Sequence, residues 1–102
     1  MIPKEKIEDI VKKHNSIEKE LSSGKINSND YAKKSKEYAE LGNIIKYAQE
    51  YLKFESNKFE IQQIIKDPKS DEEMVVLAEK ELINLSKKKI DCENKLKIFL
   101  LP

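Results

Sequence analysis

From Ser28 to Lys66 the chain contains no proline and one glycine, Gly42. Glycine costs a helix interior about 1 kcal/mol and proline about 3 kcal/mol, so a long run nearly free of both favours uninterrupted helix. Apolar residues recur through this run at spacings of three and four. The pattern predicts one helix over 28–66, roughly 38 residues and about 57 Å long. It carries two stripes. Tyr31, Tyr38, Leu41, Ile45, Ala48 and Leu52 form one, with Lys34 as a polar intrusion. Ile44, Tyr47, Tyr51, Phe54, Ile61 and Ile65 form the other, interrupted by Lys58. The stripes are offset by one residue, about 100° around the helix, so the helix must pack against two neighbours.

Those neighbours are readable on either side. Before it, Ile7, Ile10, His14, Ile17 and Leu21 alternate in the a/d rhythm of a packed helix over 3–23. Pro3 suits the first turn, and Gly24 is placed to end the helix in the left-handed conformation. After it, Val75, Ala78, Leu82, Leu85, Lys89, Cys92, Leu96 and Phe99 hold a/d register over 70–99. Ser28 is positioned as a cap for the second helix, and Ser70-Asp71-Glu72-Glu73 has the form of a capping box for the third. Glu8/Lys12, Asp9/Lys13, Asp91/Lys95 and Glu93/Lys97 are i,i+4 pairs with the acid first.

Short loops between long helices force antiparallel neighbours. The expected fold is therefore all-α: three antiparallel helices forming a three-helix junction, with a two-helix coiled-coil hairpin projecting over about 50–88. The whole chain, 1–102, is expected to form a single helical domain with a modest core.

Apolar and charged residues each make up 38% of the chain, which favours long helices with narrow buried stripes over a thick core. Net charge is +1 and every basic residue is lysine, so no strong DNA or membrane field follows, and bidentate arginine contacts are absent. A single cysteine excludes an internal disulfide and a multi-cysteine zinc site. The N-terminus has no apolar signal core, and the expected compartment is the cytoplasm.

Side chains that could carry chemistry are few. His14 is the only histidine and forms neither a triad nor a metal site alone. Cys92 at a d position reads as apolar filler, although Lys88, Lys89 and Lys95 are near enough in sequence to activate a thiolate. Lys33, Lys34 and Lys36, and Lys87 to Lys89, are interleaved with acids and read as solvated faces. Tyr31, Tyr38, Tyr47 and Tyr51 have the spacing of seam residues with wet hydroxyls rather than of a base-stacking platform. No catalytic residue, cofactor site or metal site is expected, and the chain reads as an interaction module, not an enzyme. It ends on the apolar Phe99-Leu100-Leu101-Pro102, which reads as a cut in a longer protein at Pro102.

Asp30-Tyr31-Ala32-Lys33-Lys34-Ser35-Lys36-Glu37-Tyr38-Ala39-Glu40-Leu41 resembles the Tyr-Ala-Lys-Leu-Ser-Lys-Glu-Tyr-Ser-Glu-Leu run of class-I bacterial peptide chain release factors. Here Lys34 replaces an apolar residue and Ala39 replaces a serine. Leu96-Lys97-Ile98-Phe99-Leu100-Leu101-Pro102 is similar to the end of domain 1 in type 1 members. The resemblance covers essentially the whole chain. It implies a piece of a factor that terminates translation at UAA and UAG codons by letting water cleave peptidyl-tRNA. The family's codon-reading Pro-x-Thr tripeptide and hydrolytic Gly-Gly-Gln loop are both absent here. By the resemblance, this domain is left with docking to the ribosome at the large-subunit stalk base and coupling to the class-II release factor GTPase. Lys66, Asp67 and Lys69 at the hairpin tip are the candidate partner-binding residues. Two other classes fit the composition: a stand-alone coiled-coil adaptor or chaperone-like hairpin, and a tRNA-binding helical arm.

Overall fold

The computed structural model describes residues 2–101, and these form four helices: α1 (Lys4–Ser23), α2 (Ser28–Gly42), α3 (Ile45–Lys66) and α4 (Glu72–Leu100). Pro102, expected to mark a cut, lies outside the described residues. The expectation of three helices is corrected at one place. The single helix anticipated over 28–66 is two, separated by Asn43 and Ile44. There the backbone tightens to three-residue hydrogen bonds: Asn43 N–H donates to the Glu40 carbonyl at 3.3 Å and Ile44 N–H to the Leu41 carbonyl at 3.0 Å. In such a turn side chains three apart eclipse. Leu41 and Ile44, three apart, are both buried in the same core. Burial of this pair and the weak helix propensity of Gly42 act together at the break.

The caps also shift by one residue. Asn27, not Ser28, caps α2: its Oδ1 accepts from Asp30 N–H and its Nδ2 donates to the Asp30 carboxylate, both at 2.9 Å. Asp71, not Ser70, caps α4, accepting from Met74 N–H at 2.8 Å. Both caps have extended backbones that aim the side-chain oxygen at the exposed amides of the first turn. Gly24 closes α1 at φ 69°, as its position requires.

The junction differs from the expected three-helix form as well. Helix α1 packs on both α2 and α3, while α3 runs antiparallel to α4 along most of its length. The core gathers Ile7, Ile10 and Ile17 of α1 around Leu41, Ile44 and Ala48, closed by Leu96 of α4. Ile7, Ala48 and Leu96 have no exposed surface. Away from this end, α3 and α4 form a hairpin in which Phe54 and Ala78 are buried. The result measures 60 × 29 × 19 Å, with a radius of gyration of 18.4 Å. A compact domain of this length would have about 13 Å. Tyr31 and Phe99, expected on seams, are 50% and 38% exposed respectively.

The two glycines make opposite predictions. An added Cβ meets nothing within 4 Å at either position, but Gly24 has positive φ and Gly42 does not. In urea titrations Gly24→Ala is expected to destabilise by about 1 kcal/mol, and Gly42→Ala to stabilise by roughly 0.5–1 kcal/mol. Leu96→Ala, which opens the sealed end of the core, is expected to cost about 2–5 kcal/mol in the same assay.

Candidate interaction surfaces

The side chains that sequence alone makes chemically suspect are occupied by packing. His14 lies between α1 and α2, stacked on the Tyr38 ring at 4.8 Å between centroids and 23° between planes. Its Nδ1 is buried without a hydrogen bond, 3.9 Å from the Glu18 carboxylate. Polar pairs flank it: Lys13 bonds Glu37 at 2.6 Å, and Lys34 reaches Glu20 at 3.2 Å. Lys34 therefore interrupts the apolar stripe of α2 because its ammonium has an acid waiting on α1. Lys13 likewise pairs across the helices rather than with Asp9 of its own helix. The Lys13 ammonium, by its hydrogen bond and its charge, holds the Glu37 carboxyl below its ordinary range.

Cys92 is buried in the α3–α4 seam, its Sγ–H directed to the Glu50 carboxylate at 3.4 Å. Burial, then the hydrogen bond to Glu50 and its negative charge, push the thiol up to about 11. That is the reverse of activation, and it supports the filler reading. Three of the four tyrosines, Tyr38, Tyr47 and Tyr51, pack against the core. The Tyr47 hydroxyl meets Lys95 Nζ at 2.7 Å, and that ammonium also sits 4.3 Å from the ring centroid and 3.6 Å from Asp91. The Tyr51 hydroxyl lies 3.4 Å from both the Ile2 carbonyl and the Glu93 carboxylate, tying α3 to the N-terminus and to α4. Lys89 covers the Phe54 ring at 4.7 Å and approaches Glu93 at 3.8 Å, which accounts for a lysine at an a position.

Lys66, Asp67 and Lys69 are brought together in the α3–α4 turn and all three are exposed. They are not equivalent. Asp67 builds the turn: its carboxylate accepts from Lys69 N–H at 2.9 Å and its carbonyl from Ser70 N–H at 3.0 Å. Ser70, displaced from the cap, donates instead to the Ile64 carbonyl at 2.7 Å. Lys66 and Lys69 are the two charges the tip presents freely, and no ion pair among the described residues engages them.

Two surfaces escape the sequence reading. Val76, Ile83 and Ile90 recur every seven residues on α4, one position off the buried register, and stand 45–59% exposed. That spacing was available in the sequence as a second stripe. A groove between α1 and α2, floored by Ile10 and Leu41 and walled by Phe99 and Leu100, needed the tertiary structure to appear. Among the described residues no cluster of histidine, cysteine and carboxylates could hold a metal ion. No helix is long and apolar enough to cross a membrane.

Comparison with known proteins adds a family likeness. The family model described as the PCRF domain matches residues 10–102. Peptide chain release factor 1 of Pelagibacter ubique is 44% identical over 102 residues, covering 100% of this chain and 29% of that protein. The factor of the same name from Orientia tsutsugamushi is 37% identical over 93 residues, 91% of this chain and 26% of its own length. That of Bartonella tribocorum is 34% identical over 101 residues, 99% of this chain and 28% of its own. The chain thus spans less than a third of the length of these relatives. No solved structure matches it.

The raised thiol gives a chemical test of the buried seam. At pH 8 a thiol at about 11 is ionised in about one molecule in a thousand, against about a quarter for a free thiol. Alkylation of Cys92 by iodoacetamide is expected to run at least ~100-fold slower in the native protein than in urea. Because the folded state favours the protonated thiol, its contribution to stability is complete below the unfolded value and is lost as pH rises toward 11. Glu37 has the opposite sign. Its contribution is present above the ordinary carboxylate range and is lost as pH falls through the lowered value. Lys13→Ala is expected to flatten the acid limb of a stability-versus-pH curve by no more than about 1 kcal/mol, as for an exposed pair.

Proposed function

The chain belongs to the peptide chain release factor family, and we propose that it is the N-terminal docking domain of a type 1 member acting in translation termination. The full-length protein in this reading recognises UAA and UAG codons and triggers peptidyl-tRNA hydrolysis in the cytoplasm. This domain supplies neither step. It carries no Gly-Gly-Gln or Pro-x-Thr sequence, and its histidine and cysteine are engaged in packing. Its part is to hold the factor against the ribosome at the large-subunit stalk base and to couple it to the class-II release factor GTPase. The family match over residues 10–102 carries the proposal. The shape agrees with it: a junction formed by α1, α2 and the joined ends of α3 and α4 bears a hairpin that presents Lys66 and Lys69 at its far end.

Charge reversal at the tip tests the docking role. In the full-length protein, Lys66→Glu with Lys69→Glu is expected to raise the factor concentration needed for half-maximal peptide release by roughly tenfold. The maximal release rate should stay within about twofold, since only a shared binding term is lost. Asp67 should be left intact, because its carboxylate forms the turn. The isolated chain should release no peptide from ribosomal termination complexes at any concentration. Unchanged release and unchanged GTPase-factor coupling in the reversed variant would remove the tip from the docking surface.

A further inference from the structure

Near-zero net charge conceals a segregation that folding creates. On α4 the acids Glu72, Glu73, Glu79 and Glu81 occupy the tip-proximal third, while the lysines at 87, 88, 89, 95 and 97 lie toward the junction. On α3, Lys46 and Lys53 are one heptad apart, as are Lys88 and Lys95 on α4, so each pair repeats along its helix at about 10.5 Å. The antiparallel pairing brings the two stripes to the same flank. Lys53 and Lys88 line one groove of about 210 Å³, with Asn57 beside them and Lys89 and Cys92 at its floor. Lys95 is fixed one heptad further along by the Tyr47 hydroxyl.

The acids on this flank are already engaged. Glu50 accepts from Cys92, and Asp91 is paired with Lys95. No ion pair among the described residues occupies Lys53 or Lys88. Two free ammonium groups therefore face each other across a polar groove, with a third held in line. The aromatic rings nearby are taken, since Phe54 is buried under Lys89 and Tyr47 lies under Lys95. Such a surface offers point charges for phosphate and no platform for stacking bases.

We propose that this groove, formed by Lys53 and Lys88 and extended by Lys46 and Lys95, binds the phosphate backbone of double-helical RNA without reading its sequence. The proposal rests on the docking reading above and names the chemistry of one contact, on the hairpin flank rather than at its tip. Backbone contacts position a protein on a helix, and lysine can make them without arginine's fork geometry.

The test is a salt titration of the chain's affinity for a labelled double-helical RNA of arbitrary sequence, read by fluorescence anisotropy. Lys53→Glu with Lys88→Glu is expected to weaken binding at least ~tenfold. It should also lower the slope of log affinity against log salt by about 1.5 to 2, because each lost phosphate contact removes roughly 0.7–0.9. Lys12→Glu with Lys19→Glu makes the same change in net charge on exposed positions of α1 and should weaken binding less than about threefold. Lys53→Gln with Lys88→Gln should fall between, which keeps the test intact if the reversed variant loses helicity by circular dichroism. Equal losses in the α1 and groove variants would overturn the proposal, as would absence of salt-dependent RNA binding. An acidic protein bound at the groove in place of RNA would overturn it too. If RNA binding is absent while tip reversal still impairs ribosomal docking, this inference fails and the docking reading stands.

Discussion

Helix α3 has to bury two faces at once, and the rest of the molecule is arranged around that requirement. Its N-terminal turns meet α1 and the end of α2, and its remaining length lies along α4. Ala48 sits where these demands coincide, wholly buried in the cluster that also holds Ile7 and Leu96. A methyl group there admits neighbours from both sides, and a larger side chain would displace one of them. Doubling the apolar stripe leaves α3 few outward positions. Lysines in the stripes are consequently folded back onto aromatic rings, as Lys89 and Lys58 are onto Phe54.

The double stripe was legible before any coordinates, because a single period of three and four cannot account for both Leu41/Ile45/Ala48 and Ile44/Tyr47/Tyr51. What the pattern does not encode is the break between α2 and α3. Gly42 is a weak signal alone, since a lone glycine is tolerated inside many helices. The deciding term is tertiary: Leu41 and Ile44 must reach one core, and a tightened turn brings them into line. Both caps fell one residue from their sequence-based positions for a similar reason. Serine and its neighbouring Asn or Asp are nearly equivalent as caps, and which one acts depends on where the incoming chain is extended.

The candidate surfaces divide along the same line. Lys66 and Lys69 could be placed at a tip from helix lengths alone. Assigning Asp67 to turn construction required the hydrogen bonds, since an exposed acid between two lysines looks like part of the same charged patch. Lys53 and Lys88 lie 35 residues apart in sequence and within different charge patterns. Only the register of the antiparallel pair, set by Glu50 against Cys92 and Tyr47 against Lys95, puts them across one groove.

That register also determines where stability resides. The large buried side chains cluster at the junction, and the hairpin beyond them is held by few residues without exposed surface, chiefly Phe54 and Ala78. Local opening free energy follows buried apolar contact, so the tip is the least protected part of the fold and the junction the most. For a docking element the division is useful. A partner that grips the hairpin can order its tip at modest entropic cost, while the junction keeps the base of α3 and α4 in fixed relation to α1. Forces on the hairpin are then transmitted through Leu96 and Ala48 to the body. The cavity most damaging to stability and the one most damaging to the hairpin's orientation would be the same, at the crossing where α3 meets its two neighbours.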